Sequence, residues 1–407
     1  MPAHAQIEMT FDLLQTLAIA GATLFAGYGI RRLIPRLSTL NIPPAVLGGL
    51  IVALLLLAAR SSGMAPPAFD TSLQPLLLVG FFTTVGFSAS VALLRAGGPQ
   101  VVLLLAITSV VAILQNLAGI AVAMGFGLPP LFGVLAGSVT LTGGPATGMA
   151  FAPLFEQAGV VGAGSIAIAT AMAGIVLGGL VGGPIATLLI ERNRLHAKNA
   201  DVSPLPASIE EHSHSPAGDA VQTFVAIKTV VVVLVTMGMG SAVSAAIGSA
   251  GITLPGYIGG MLVAAAVRYV DDRTGWIGLS HRSIQMLGAV ALSLFLAMAL
   301  MTLDLTKLAG LAVPLLVILC VQTLLSSALC LWPVFQLMGR DYDAAVMTGG
   351  FLGFILGTTA NAMAVMRALV ENYGDAPRAF LVAPLVGAFF LDFTNALIIT
   401  FFLNVLG

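Results

Sequence analysis

Charged side chains are scarce in this sequence, and their scarcity excludes a soluble protein. Of the 407 residues only 8% are Asp, Glu, Lys or Arg, whereas 58% are hydrophobic. A soluble domain usually carries about 25% charged residues, so this chain has too little polar surface to cover a fold of its length. The apolar runs are long and continuous, unlike the short alternating strands of membrane barrels. The composition therefore predicts an all-α integral membrane protein.

Several other features are rare or missing. Only two cysteines occur, Cys320 and Cys330, and they share one apolar segment, so we expect no disulfide. The five histidines form no HExxH motif and no Cys/His cluster, which argues against a metal cofactor. The net charge of −1 provides no electrostatic basis for nucleic-acid binding. The N-terminal stretch lacks a basic region, so we expect no cleavable signal peptide.

Hydropathy predicts ten membrane spans of about 20 residues or more. They lie at about 10–30, 42–59, 72–94, 100–127, 160–190, 221–248, 252–270, 282–303, 308–337 and 376–405. Two further stretches, 130–156 and 343–372, are apolar but interrupted by Gly, Thr, Pro or Asn. The one long polar segment, 191–220, is rich in Pro and Ser and is predicted to be a flexible linker.

The positions of Lys and Arg predict the orientation of the chain. When the N-terminus is placed outside and the chain passes through ten spans, the basic residues that flank the spans are mainly cytoplasmic. Only Arg60 and Lys307 then lie on the outer side. Both termini are therefore predicted to lie outside, and the linker 191–220 in the cytoplasm.

The two halves of the sequence resemble each other. "PAVLGGLIVA" at 44–53 matches "PGYIGGMLVA" at 255–264, and "TGMAFAPLFEQAG" at 147–159 matches "NAMAVMRALVENYG" at 361–374. Each half contains five spans, and an odd number makes successive copies point opposite ways across the membrane. The sequence thus predicts an inverted repeat, with one copy at 1–190 and the other at 221–407, an architecture common in secondary transporters.

The interrupted stretches are predicted to be re-entrant hairpins, one in each repeat. Their tips are expected at 142–147 and 357–361, since Gly, Thr and Pro do not continue a helix through lipid. A broken helix exposes N–H groups that suit a carboxylate, and unwound carbonyls and hydroxyls suit a small cation. The alternative explanation for the small residues in these two stretches is that they allow neighbouring helices to pack closely. The predicted substrate-binding residues are Thr140, Thr142, Gly143, Gly144, Thr147, Thr358, Thr359 and Asn361.

A few polar residues lie inside the predicted spans. Asp392 is the acid nearest the centre of a span, and Asn395 follows three residues later on the same helical face. With the amides Gln115 and Asn116 they are predicted to bind Na⁺ or, for Asp392, to relay H⁺. The alternatives are hydrogen bonds between helices for the amides, and an ion pair with Lys228 for Asp392.

Eight stretches together resemble one known family. They are "IPPAVLGGL" (42–50), "LLRAGG" (93–98), "LQNLAG" (114–119), "LAGSVTLTGG" (135–144), "LGGLVGGP" (177–184), "LSLFLAMALM" (292–301), "YDAAV" (342–346) and "FLVAPLVGAFFLDFTNALI" (380–398). In these stretches the chain resembles the bacterial sodium/glutamate symporters. The resemblance covers about 11–407 and implies ten spans, two re-entrant hairpins, a homodimer, and Na⁺-driven glutamate uptake at the bacterial inner membrane.

The chain departs from the family pattern at both tips. Where the family has His-Gly-Thr after the glycine pair, this sequence has Pro145, Ala146 and Thr147. Where the family has Gly-Ala-Thr-Pro-Thr-Ala, this sequence has "GTTANA" at 357–362. These changes leave open whether the cargo is glutamate or another small carboxylate.

The sequence therefore predicts an ion-coupled secondary transporter for an anionic amino acid, with no cofactor other than Na⁺ as coupling ion. No phosphate-binding P-loop occurs, so an ion gradient would drive transport. H⁺ in place of Na⁺, a different carboxylate, and an ion channel are the alternatives. An enzyme is not expected, because the spans hold no second aspartate to pair with Asp392 and no G-x-S-x-G motif.

Overall fold

A computed structural model describes residues 9–34, 42–62, 64–89, 91–197, 219–249, 255–308 and 310–407. Within these ranges the chain is helical, apart from loops and one two-residue parallel pair between Thr10–Phe11 and Ala68–Phe69. Most of the predicted linker, and the side chain of Arg95 in the "LLRAGG" stretch, lie outside what is described.

The helices of the first half begin with α1, which has a capping box. The Asp12 carboxylate accepts the Gln15 N–H at 2.8 Å, and the Gln15 side chain accepts the Asp12 N–H at 3.1 Å. The helices are α1 (Leu13–Leu33), α2 (Pro44–Ser61), α3 (Gln74–Gly86), α4 (Val91–Gly125), α5 (Pro130–Val134), α6 (Gly144–Gln157) and α7 (Ala163–Arg192).

The helices of the second half follow residues 198–218. They are α8 (Asp219–Ser249), α9 (Tyr257–Thr274), α10 (His281–Met301), α11 (Ala312–Leu329), α12 (Phe335–Leu337), α13 (Tyr342–Ile355), α14 (Thr359–Tyr373), α15 (Pro377–Leu385) and α16 (Leu391–Leu406). Wide π-helical turns occur at Leu135–Val139, Cys330–Val334 and Val386–Phe390, and a 3-10 turn at Leu305–Leu308.

Seven helices in the described ranges are long and apolar enough to cross a membrane. Three of the ten predicted spans are not helices of this kind. The span predicted at 72–94 is divided between α3 and α4, and the one at 376–405 is divided by the π turn after Pro384, which lacks a donor for the helix. The span predicted at 252–270 corresponds to α9, whose last two turns carry charged residues.

The helices pack in two groups. Helices α1–α3 and α8–α10 contact one another and form what we call the panel group, whereas α4–α7 and α11–α16 form the core group. In the panel, α1 packs against α2 and α8 against α9, while α2 contacts α10 and α3 contacts α9. The panel contacts of the first half thus have counterparts in the second half.

Glycines bring core helices α7 and α13 close together. A Cβ added at Gly174, Gly178 or Gly182 would lie 2.3, 3.2 or 2.8 Å from a carbonyl oxygen of the segment 349–356. The three glycines are spaced by one turn each, so they form one face of α7 on which α13 rests. This packing places the C-terminal end of α13 beside the middle of α7.

Candidate functional site

The first interruption lies between α5 and α6. Within the π turn Leu135–Val139 the backbone leaves helical geometry at Gly137, and α6 begins at Gly144, whose φ is +69°. The predicted tip at 142–147 is therefore too late in the chain: the break covers 140–143, which we call the first tip. Pro145 lies in the first turn of α6, where a helix needs no donor from its backbone nitrogen.

The second interruption lies between α13 and α14. Helix α13 ends at Ile355 and α14 begins at Thr359, so the break, or second tip, covers 356–358 rather than the predicted 357–361. The Thr358 hydroxyl caps α14 by accepting the N–H of Asn361 at 3.4 Å. Thr359 and Asn361 thus belong to the first turn of a helix.

Gln115 of α4 joins the first tip to the end of α13. Its Oε1 accepts the Thr142 hydroxyl at 2.7 Å, and its Nε2 donates to the Ile355 carbonyl at 2.9 Å. Its own carbonyl accepts Nε2 of Gln322 at 2.6 Å. All of these side chains are buried, so each bond satisfies a polar group that water does not reach. The two interruptions are therefore held in register by one amide.

A second polar network surrounds Ser138 in the π turn. Its N–H donates to Oδ1 of Asn116 at 2.9 Å, and its carbonyl accepts Nδ2 of Asn395 at 3.0 Å. Among the described residues, the Ser138 hydroxyl and Oδ1 of Asn395 are buried and have no hydrogen-bond partner. Two oxygens that can accept further ligands thus lie at the broken segment of the first hairpin.

Three predicted substrate residues hydrogen-bond to, or pack against, the backbone around the tips. The Thr140 hydroxyl donates to the Leu135 carbonyl at 2.8 Å, and Nδ2 of Asn361 donates to the Ile175 carbonyl of α7 at 2.6 Å. Thr147 packs on the first tip, where a Cβ on Gly143 would lie 2.6 Å from its Cβ. None of the three side chains lines the cavity described next.

A cavity of about 310 Å³ lies where both tips face the panel group. The predicted residues that line it come from both tips and from α6, α14 and α16. The panel contributes apolar walls from α3, α10 and the residue before α2. Its lining includes Thr142, Gly143, Gly144, Thr358, Thr359, Gly387 and Asp392 on the core side, and Pro43, Phe81, Val85, Leu292 and Leu296 on the panel side.

Asp392 differs from the other residues predicted to bind Na⁺. It borders the cavity and is partly exposed to it, whereas Gln115, Asn116 and Asn395 are fully buried behind the tips. The suggested ion pair with Lys228 is wrong. The Lys228 ammonium donates to the carbonyls of Ile277 and Gly278, at 2.8 and 2.9 Å, in the loop after α9.

Sequence reasoning did not select Ser138 or the panel residues that line the cavity. Ser138 directly follows Gly137, at which the helix breaks, and a hydroxyl next to a glycine was the available signal. The panel residues Pro43, Phe81, Leu292 and Leu296 are ordinary apolar side chains, which carry no sequence signal for a site.

The seven long apolar helices in the described ranges define a multi-pass membrane protein. The family model described as "Sodium/glutamate symporter" matches residues 9–375. The sodium/glutamate symporter of Escherichia coli (strain K12) is 39% identical over 393 residues, which is 96% of this chain and 97% of that relative. The Haemophilus influenzae symporter is 37% identical over 391 residues, or 96% of both chains. The chain belongs to the sodium/glutamate symporter family.

Proposed function

We propose that this protein is a sodium-coupled symporter that imports L-glutamate or a related anionic amino acid across the bacterial cytoplasmic membrane. The names of the relatives support this function, and they favour neither a channel nor another cargo. The observation that carries the proposal is the cavity at which two broken helices meet. Broken helices at the contact between repeats are how secondary transporters bind charged cargo.

The substrate binds between the two tips. The N-terminal ends of α6 and α14 both open toward the cavity, and their free N–H groups suit the carboxylates of the substrate. Thr142, Gly143, Gly144, Thr358 and Thr359 provide the contacts. Thr140, Thr147 and Asn361 act indirectly, by holding the tips in shape.

Sodium binds behind the first tip, next to the π turn. The unpartnered oxygens of Ser138 and Asn395 are hard ligands, which a small cation prefers, while Asn116 and Gln115 hold the surrounding backbone. Because Ser138 lies two residues before the first tip, an ion there favours the conformation that binds substrate. Two ligands that stabilise one conformation bind cooperatively, and this is the coupling that a symporter needs.

The proposed architecture is two inverted repeats, 1–190 and 221–407, each with five spans and one re-entrant hairpin, at 130–156 and 343–372. The paired contacts of the panel support it: Gly48 of α2 approaches the Thr23 carbonyl of α1, as Gly259 of α9 approaches the Gly240 carbonyl of α8. The homodimer and the outer position of both termini stay predictions.

The test is uptake of labelled L-glutamate into liposomes that contain the purified protein. We expect accumulation under an inward Na⁺ gradient and none under a K⁺ or a pH gradient of the same size. No accumulation under any gradient, or a current far above carrier turnover, would contradict the proposal.

The variant S138A tests the sodium site. It removes a hydroxyl that makes no hydrogen bond, so folding should be unaffected, while the Na⁺ concentration for half-maximal uptake should rise about 10-fold. The control is S109A, which removes a hydroxyl that donates to its own helix at 2.8 Å. An unchanged sodium dependence in S138A would place the ion elsewhere.

A further inference from the structure

Among the described residues that line the cavity between the tips, Asp392 is the one with a charged side chain. The other described lining residues are Gly, Ala, Pro, Thr or apolar residues. In the described part of the chain the Asp392 carboxylate has no salt bridge. A carboxylate at membrane depth without a counter-charge is unfavourable, which suggests that its partner arrives with the cargo.

An anionic amino acid with two carboxylates carries three charges, and the cavity has to match all of them. The helix ends at Gly144 and Thr359 favour the two negative groups. The same helix ends disfavour the positive ammonium group, because this group would lose its hydration and would have no negative partner beside them. The threonine hydroxyls are weak acceptors by comparison with a carboxylate. Asp392 is the remaining group on the wall that offsets a positive charge.

We propose that Asp392 binds the α-ammonium group of the substrate and thereby selects amino acids over plain dicarboxylates. The inference rests on the function proposed above and deepens it. It also moves Asp392 from the sodium site to the substrate site. Asn395, one turn further along α16, is fully buried and faces Ser138, whereas Asp392 opens into the cavity. The two residues therefore serve different ligands from neighbouring positions on one helix.

The experiment compares two ligands that differ only in the ammonium group. Binding of L-glutamate and of glutarate to the full-length protein in lipid nanodiscs is measured by calorimetry at saturating Na⁺. The variant is D392N, which keeps the shape of the side chain and removes its charge. The control is D375N, which makes the same change on the exposed surface. Thermal stabilisation by Na⁺ alone is measured for each protein.

We expect the two affinities to move in opposite directions. In D392N the affinity for glutamate should fall at least ~30-fold, because the ammonium loses its counter-charge in a site shielded from water. The affinity for glutarate should rise, because the repulsion between its carboxylates and Asp392 is removed. Na⁺ alone should stabilise D392N as much as the wild type, and D375N should match the wild type throughout.

Three results would overturn the inference. One is an equal fall in the affinities of D392N for glutamate and for glutarate. Another is that Na⁺ alone no longer stabilises D392N against thermal unfolding. The third needs no variant: wild-type protein that binds glutarate as tightly as glutamate does not use the ammonium group. If the wild type binds neither ligand, the proposed function fails together with the inference. This result differs from the three above, in which the wild type still binds glutamate.

Discussion

Replacing Gly174 by alanine should displace the second tip and impair substrate binding. A Cβ at this position would lie 2.3 Å from the Leu356 carbonyl oxygen and 2.6 Å from Cδ2 of Leu141, and ordinary contacts begin at 3.4 Å. The tip therefore has to move away from α7 by about 1 Å. Overpacking of this kind costs roughly 1–3 kcal/mol. A 1 Å displacement of a site residue can cost about 100-fold in activity.

The matched control is G179A on the same helix. A Cβ at Gly179 has nothing within 4 Å, so the alanine should stabilise α7 by up to ~1 kcal/mol through helix propensity alone. Thermal unfolding and calorimetric glutamate binding are measured for both variants. We expect a lower midpoint and weaker binding for G174A, and wild-type binding with an equal or higher midpoint for G179A.

The glycine contacts also predict an order. G182A, with 2.8 Å to the Gly349 carbonyl, should be less harmful than G174A, and G178A, with 3.2 Å to the Gly353 carbonyl, should be the mildest. If G174A binds glutamate as tightly as G179A does, α7 and the second tip are not in close contact during binding. The reasoning from packing would then be refuted.

Three further predictions concern single side chains. Q115A should lower the free energy of unfolding by roughly 2–3 kcal/mol and weaken glutamate binding, because both tips lose their shared hydrogen bonds. D271A should lower the midpoint of thermal unfolding without changing glutamate affinity, because its carboxylate accepts three loop N–H groups of residues that do not line the cavity. The hydrogen bond from the Thr306 hydroxyl lowers the pKa of the Asp304 carboxyl. The ionised carboxylate should therefore stabilise the fold fully above pH 3.8, and this stabilisation should be lost as the pH falls below that value. D304N should remove this part of the acid dependence.

Each of these predictions has a result that contradicts it. A Q115A protein with unchanged stability would show that the tips are held by packing alone. Weaker glutamate binding in D271A would mean that the α9 loop influences the site. For D304N, the midpoint is followed from pH 6 to pH 3 beside the wild type, and parallel curves would show that another group dominates the acid response.

The helical interruptions could be predicted from the sequence because local chemistry determines them. At the first tip Gly143 and Gly144, with threonines on both sides and Pro145 next to them, have low helix propensity, and "GTTANA" at 357–362 has the same character. The exact limits were harder to predict. The predicted tip includes Pro145, whereas this residue lies in the first turn of α6, because proline is equally suited to a turn and to the first turn of a helix.

The membrane spans show where local patterns are insufficient. Hydropathy predicts 72–94 and 376–405 as continuous spans, but the first is divided between α3 and α4 and the second contains the π turn Val386–Phe390. The π turn is a site of close tertiary contact: a Cβ added at Gly387 would lie 2.7 Å from an atom of Phe354 and 2.7 Å from the Thr359 hydroxyl oxygen. Composition averaged over twenty residues does not contain such information.

The sequence alone determined the class, the family and the residue types at the broken helices, because these depend on composition, order and local propensity. The tertiary structure decided which of those residues share a cavity. The sequence spacing predicts that Asp392 and Asn395 act together, since they are one helical turn apart. The structure separates them, because Asp392 faces the cavity between the tips and Asn395 contacts Ser138. It also brings apolar panel residues such as Phe81 and Leu296 to the site. Their role depends on contacts between distant segments, and no local pattern encodes such contacts.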